Sequence, residues 1–532
     1  MHSEKQHAAL DHSHHLSDYA RRFRLSPLKG LQKYYGRDDM IAFAGGLPHE
    51  AYFPFHTIGA DILAADAFPL TAPRTESSPL AWLWRLFGAS KERTTYVSVQ
   101  KSAKAGDDGL NLATALQYGP ATGLASTQRW THAFSARVFR PAREDFATLV
   151  HTGNTDGWGR IARVLCDPGD TILAEEWTYP SALASAAPIN VRVQPVAMDG
   201  QGMRADALRE VLEGWDERRG RRPHVMYTVP IGQNPSGATM GLARKKEIYD
   251  VCVEYDIIIA EDDPYYFLQC GAYEPKEVRG QAKAGDGIEA FLSSLEPSFL
   301  SVDVEGRVIR IDTFSKTIAP GARLGWFTCA PLFAERLERV GETSTQSPCG
   351  LGQALIMKLL ETWTFDGYVR WLQGIRTQYK LRRDFFVDLF GEAFELQTSA
   401  GATGPWAGCK VYTAYAKAQG GLFVREKAPR KALFSFVPPS AGMFVWIKLE
   451  FGQHPKRLRG EEEDKSLEQQ FWEQLADAGV LTAPGWFFSA AGEVDGSATD
   501  GHLRVSFSNA ETEDARRGIQ IFAKTLTEFF KA

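Results

Sequence analysis

Short apolar runs recur through the middle of the chain, each followed closely by glycine or polar residues. The runs at 171–174, 224–229, 257–260, 308–312 and 324–329 read as buried strands. Between two of them Ile248, Val251, Cys252 and Tyr255 recur at helical spacing. Strand alternating with helix predicts an α/β unit, a mostly parallel sheet flanked by helices on both faces. Such sheets bind ligands at the carboxyl ends of their strands. The last third has another rhythm. There 443–449 and 503–507 read as strands, 467–478 as an amphipathic helix and 515–530 as a final helix, a smaller α+β unit. The change of rhythm starts a second domain near residue 367. The stretches 70–111, 271–306, 400–430 and 456–465 read as surface insertions with no chemistry of their own.

Length supports more than one core, since 532 residues exceed what a single one usually serves. With 44% hydrophobic and 23% charged residues the chain reads as soluble and globular. A net charge of -5 without a basic stripe argues against nucleic acid as a partner. No apolar run is long enough for a membrane span, and no secretory signal pattern opens the chain. Six dispersed cysteines read as reduced, mostly buried residues, which points to the cytosol. His2, His7, His12, His14 and His15 crowd the N-terminus. Without clear ligand spacing they read as a solvated, mobile tail, and no metal ligand is assigned.

Chemistry concentrates at the strand ends. Asp312-Thr313-Phe314-Ser315-Lys316 closes one strand, with Arg323 seven residues past the lysine. A lysine partly desolvated there loses its proton more easily and becomes a nucleophile. Thr313, Ser315 and Arg323 supply donors suited to a phosphate. Glu261-Asp262-Asp263-Pro264-Tyr265 closes another strand, placing a carboxylate and a phenol together; charge alone does not separate Asp262 from Asp263. Asn234 sits in the turn Gly232-Gln233-Asn234-Pro235-Ser236-Gly237. Gly153-Asn154-Thr155 opens a helix whose free N–H groups suit an anion. Tyr179, in Trp177-Thr178-Tyr179-Pro180, could stack on a flat ring. Arg504, inside the run Leu503-Arg504-Val505, needs a carboxylate or another partner if buried.

In this order the motifs resemble the fold-type-I pyridoxal-phosphate (PLP) aminotransferases. They are most similar to the fungal aromatic amino-acid aminotransferases and the kynurenine/2-aminoadipate aminotransferases. Phe43-Ala44-Gly45-Gly46-Leu47-Pro48, Leu116-Gln117-Tyr118-Gly119 and Ser440-Ala441-Gly442-Met443-Phe444-Val445-Trp446 extend the resemblance over roughly residues 20–530. It implies the PLP-dependent transferase fold and pyridoxal 5'-phosphate as cofactor, with Lys316 as Schiff-base lysine and proton shuttle. It implies Asp262 on the pyridine nitrogen, Tyr265 and Asn234 on the ring hydroxyl, and Tyr179 stacked on the ring. Asn154, Thr155, Thr313, Ser315 and Arg323 would hold the phosphate, joined by Tyr118 from the neighbouring subunit of a homodimer. Arg504 with Asn234 would grip the substrate carboxylate, and Gly46 would line the substrate side. Lys29, where the human-type enzyme has arginine, is a candidate for a distal substrate carboxylate. With this resemblance the division expected is 1–117, an N-terminal arm with a small-domain segment, a large domain at 118–366, and a small C-terminal domain at 367–532.

The implied activity is transfer of the amino group of phenylalanine, tyrosine or tryptophan to 2-oxoglutarate by a ping-pong mechanism. Kynurenine and 2-aminoadipate are further candidate donors. A lyase or decarboxylase on the same fold is the second reading; Arg504 argues against α-decarboxylation because it would stabilise the carboxylate that must leave. A non-catalytic regulator is the third, and residues 1–45 are too short and too weakly basic for a DNA-binding module.

Overall fold

The computed structural model describes residues 8–24, 44, 46–70, 93–102, 109–280, 287–417, 431–459, 465–492 and 500–531. Seven strands form the central sheet. Their spatial order is Ala147–His151, Gly325–Cys329, Val308–Thr313, Ile258–Asp262, Val225–Thr228, Thr171–Glu175 and Arg192–Val196. Gly325–Cys329 is antiparallel to both neighbours, while Val308–Thr313 through Arg192–Val196 pair in parallel. The expected run at 324–329 is therefore a sheet strand, but a reversed one. It returns directly from the Lys316 turn, and so short a link cannot make a parallel crossover.

Strand alternation sorts the core into two layers. Ile258 and Ala260 face one side with Val225, Tyr227, Ile309 and Ile311, under the helices Asn154–Leu165 and Pro331–Glu342. Ile259 faces the other with Leu173, Met226 and Val308, under Ala125–Phe139, Ala205–Glu213 and Leu242–Glu254. The helical spacing of Ile248, Val251 and Cys252 thus marks a helix that covers the sheet, as expected.

A second sheet, antiparallel throughout, orders its strands Glu395–Ala400, Lys410–Tyr415, Ala432–Phe436, Phe444–Leu449, Gly501–Ser506 and Ala483–Pro484. The helix Leu467–Asp477 and the final helix Thr512–Phe529 pack on it through Phe471, Leu475, Phe522 and Leu526. The helix Gly350–Ala393 links the two sheets and breaks at Thr364, whose φ is 60°. The division expected at 366/367 falls just past this break. The stretches read as bare insertions contain regular structure: Thr94–Gln100 pairs with Thr57–Leu63, Ile288–Ser293 is helical, and Lys410–Tyr415 is a sheet strand.

The N-terminal histidines require a correction. His12 and His15 are 2% and 1% exposed, not part of a solvated tail. The short helices Ser13–His15 and Asp18–Arg22 lie against Asn154–Leu165, where Ser17 Oγ donates to Arg163 O (2.6 Å) and accepts from Ala20 N (3.1 Å). Leu16, in the extended link between the two short helices, and Ala20, on the second of them, join the large-sheet core. That apolar pair was the signal, masked by the polar residues around it. His2 and His7 lie outside the described residues.

Candidate active site

Five parallel-running strands deliver their ends to one cleft, and the reversed strand delivers its start. Lys316 ends the 3-10 turn Phe314–Lys316 directly after Val308–Thr313. Arg323 precedes Gly325–Cys329, so reversal of that strand brings the guanidinium back to the lysine's end of the sheet. The cleft is about 330 Å³ and is lined by Asn154, Thr155, Tyr179, Asn234, Asp262, Tyr265, Thr313, Ser315, Lys316, Arg323 and Arg504. These residues span 350 positions of sequence, and only strand order brings them together.

One corner is built for an anion. Thr313 Oγ1 and Ser315 Oγ stand 2.8 Å apart, and Arg323 Nη1 donates to Ser315 Oγ at 3.4 Å. The helix Asn154–Leu165 points its first turn here. An aspartate in that turn would repel an anion, but Asp156 is paired with Arg160 at 2.8 Å and accepts from Thr152 N at 3.1 Å. Gly153 has φ +111°, and a Cβ there would run into the Arg323 guanidinium. His151, fully buried, accepts the Gly153 N–H on Nδ1 at 3.0 Å and fixes the turn. Burial takes the His151 ring down to about 3, so it stays neutral, as an acceptor must. Gly153→Ala is expected to lose about 1–3 kcal/mol of stability through backbone strain, and the added Cβ also displaces Arg323. Thermal melts check the effect.

The cleft floor is a carboxylate. Asp262 receives Tyr227 Oη (2.6 Å) and Asn154 Nδ2 (2.6 Å), and it is 4% exposed. Burial raises its pKa, while both hydrogen bonds favour the charged form. Both donors are neutral, so a buried carboxylate here is best completed by a cation on its open side. Asp263 points through the sheet instead, into an ion cluster where Arg310 contacts Asp263 (3.0 Å), Glu261 (3.2 Å) and Asp312 (2.8 Å). Period-two alternation therefore separates the acidic pair that charge could not.

The opposite wall carries Arg504, on Gly501–Ser506. Its Nη1 donates to Asn234 Oδ1 at 2.9 Å. The guanidinium lies 4.1 Å from the Phe444 ring centre and 4.8 Å from that of Phe488, and Nε is buried with no partner among the described residues. Tyr265 packs edge-on against Phe444. Burial, then Arg323 and Arg504, lowers the Lys316 amine below its ordinary value.

Two sequence candidates are placed elsewhere. Tyr118 is 65% exposed, and neither it nor Gly46 lines the cleft; Gly46 has nothing within 4 Å of an added Cβ. Lys29 lies outside the described residues. Asn154, expected at the phosphate, spends its amide on Asp262 and on Ile311 O (3.1 Å). Tyr227 and His151 were missed. Each is a polar residue on the inward face of an apolar strand, and such a residue needs a buried partner.

Residues 91–522 match the family described as aminotransferase class I and II. The chain belongs to that family. It is an aminotransferase of PLP fold type I. It is 34% identical to an aromatic amino acid aminotransferase of Schizosaccharomyces pombe, covering 98% of both chains. It is 32% identical to an L-tyrosine:2-oxoglutarate aminotransferase of Tapinella panuoides, covering 98% of this chain and 96% of that one. The crystal structure of aminotransferase Aro8 from Candida albicans superposes with a TM-score of 0.81 at 34% identity, covering 99% of this chain and 100% of that chain.

Proposed function

We propose that this aminotransferase moves the amino group of phenylalanine, tyrosine or tryptophan to 2-oxoglutarate in two alternating half-reactions, with pyridoxal 5'-phosphate as carrier. The observation that carries the reading is Arg504. A guanidinium held by Asn234, with a buried unpartnered Nε and two aromatic faces beside it, suits an α-carboxylate attached to an aromatic side chain. Donor and acceptor share that carboxylate, so one arginine serves both. The names of the two curated relatives support the same substrate class.

The chain's residues fit the cofactor. Thr313, Ser315, Arg323 and the first turn of Asn154–Leu165 would hold its phosphate, in the corner that a Cβ on residue 153 would obstruct. Asp262 would meet the ring nitrogen and supply the anion that keeps it protonated. Tyr265 and Asn234 would meet the ring hydroxyl, and Tyr179 the ring face. When bound, the cofactor supplies an aldehyde for the amine of Lys316 and a ring that draws electrons from the substrate Cα. Lys316 Nζ, freed of its proton at lower pH than an ordinary lysine, takes the proton from Cα. Phe444 and Tyr265, packed edge to face, help keep water from that atom.

A panel of amino donors against 2-oxoglutarate tests the reading, with turnover of the aromatic donors expected to lead. Arg504→Ala is expected to lower kcat/KM for every donor and acceptor alike, by about 2–4 kcal/mol of lost charge-assisted binding. A loss confined to one substrate class would refute a shared carboxylate site.

We further propose a homodimer in the cytosol. Tyr118, well exposed and away from its own cleft, would reach the phosphate of the partner subunit. Sedimentation is expected to show a dimer, and Tyr118→Phe is expected to release cofactor faster without dissociating it. A fully active monomer would refute the arrangement. No disulfide joins the six cysteines, as suits a reducing compartment, and among the described residues no helix is long and apolar enough to cross a membrane.

A further inference from the structure

Away from the cleft, the N-terminal segment meets a turn more than 240 residues later. His12 and His15 come from the segment, and Asp256 from the turn that ends the helix Leu242–Glu254. One ligating atom of each lies within 4.8 Å of the others. The turn is shaped for the encounter: Asp256 takes φ 55°, an uncommon conformation for a residue with a side chain.

The hydrogen bonding around the cluster resembles the surroundings of a metal more than an ordinary salt link. His12 Nε2 faces the Glu305 carbonyl at 3.0 Å; a carbonyl only accepts, so the proton sits on Nε2 and Nδ1 keeps its lone pair. His15 Nε2 stands 3.0 Å from Asp256 Oδ1, and His15 Nδ1 is buried with no partner among the described residues. Arg307 Nη1 contacts Asp256 Oδ1 at 2.7 Å and His14 Nε2 contacts Oδ2 at 2.6 Å, so the carboxylate is oriented from outside. Ligating side chains are commonly fixed by such outer contacts. Behind His15 the ring of His224 stacks at 5.4 Å.

We propose that His12, His15 and Asp256 form a zinc site that pins the N-terminal segment to the large domain. Two imidazoles three residues apart and a carboxylate are a borderline-soft donor set, which favours Zn²⁺ over Mg²⁺ or Ca²⁺. Three protein ligands leave a tetrahedral ion a fourth position for water. The role is structural: none of the three residues lines the catalytic cleft.

The test uses the full-length holoenzyme after chelator treatment and dialysis. Titration with zinc is expected to show one tight equivalent per chain and a rise in melting temperature. His12→Asn, His15→Asn and Asp256→Asn are each expected to weaken that binding by more than the roughly 10–100-fold that loss of an outer contact costs, because each removes a ligand. The double variant His2→Asn/His7→Asn controls for zinc taken by other N-terminal histidines and is expected to bind as the parent does. Should an Asn variant fold poorly, cobalt binding to the parent protein decides: intense visible bands, to the red of the cofactor's absorption, report tetrahedral coordination. Absence of a tight equivalent in the parent, zinc binding that survives both His15→Asn and Asp256→Asn, or weak octahedral-type cobalt bands would each overturn the proposal.

Discussion

Lys316→Ala will abolish transamination, with kcat falling by at least about four orders of magnitude, the upper range for removing a positioned acid–base group. The size of the effect follows from the position. Lys316 ends a turn directly after a central strand, half-buried, and it borders the cleft between Arg323 and Arg504. Burial and both guanidinium groups disfavour its charged form, so the amine loses its proton at lower pH than in water. Capture of the cofactor's aldehyde by the apoenzyme should therefore speed up as pH rises through a value below that of an ordinary lysine, because the neutral amine is the reactive form. Lys316→Arg keeps a cation but offers no neutral amine near neutrality, so it should be as inactive as alanine. The fold should survive both changes, since among the described residues no side chain is held by Nζ as three carboxylates are by Arg310. Borohydride treatment of the parent protein followed by peptide mapping provides the direct check. A cofactor fixed to another lysine, or an active Lys316→Ala enzyme with a native melting curve, would sink the assignment.

The sheet was legible where its strands are buried on both faces. The runs at 257–260 and 308–312 match Ile258–Asp262 and Val308–Thr313 to within two residues, because most positions of a strand buried on both faces are apolar, the buried Arg310 and Asp312 being paired with each other. The two outer strands escaped. Arg192–Val196 contains Pro195 and the exposed Arg192, which an edge strand tolerates and a central one does not. Ala147–His151 is short and ends in a histidine that looks polar in sequence but is wholly buried. Direction was not legible for 324–329, since nothing in a strand's own residues states which way its neighbours run. Candidate residues at strand ends were found through motif order, and eleven of them line one cleft. Their partners were harder to see. Tyr227 reaches Asp262 because Val225–Thr228 and Ile258–Asp262 pair in a register that sets Tyr227 opposite Ala260, two residues from the carboxylate on the same face. Register is a property of the pair of strands, and the sequence of either one does not contain it.

Asp262→Asn and Asp263→Asn should part company by two orders of magnitude or more in kcat. The adjacent carboxylates sit on opposite faces of one strand end, so the two substitutions test different chemistry. Asp262 faces the cleft, and its charge is what would keep the cofactor nitrogen protonated. An amide there has no charge, and kcat should fall by about 10²–10⁴. Folding should be nearly unaffected, because the amide oxygen can accept from Asn154 Nδ2 while the Tyr227 hydroxyl turns to accept from the amide N–H, and burial already raises the pKa of Asp262. Asp263 faces away, into the cluster around Arg310, where burial pushes it up to about 7. Burial already favours the neutral form that asparagine mimics, and Arg310 keeps Glu261 at 3.2 Å and Asp312 at 2.8 Å. The cost should be about 1 kcal/mol of stability from one lost buried hydrogen bond, seen as a lower melting temperature, with kcat within about threefold of the parent. Single-turnover rates on an aromatic donor, read beside thermal melts, separate the two outcomes. If Asp263→Asn cripples turnover while Asp262→Asn is mild, the carboxylate beside the cofactor nitrogen has been misassigned, and the strand's facing with it.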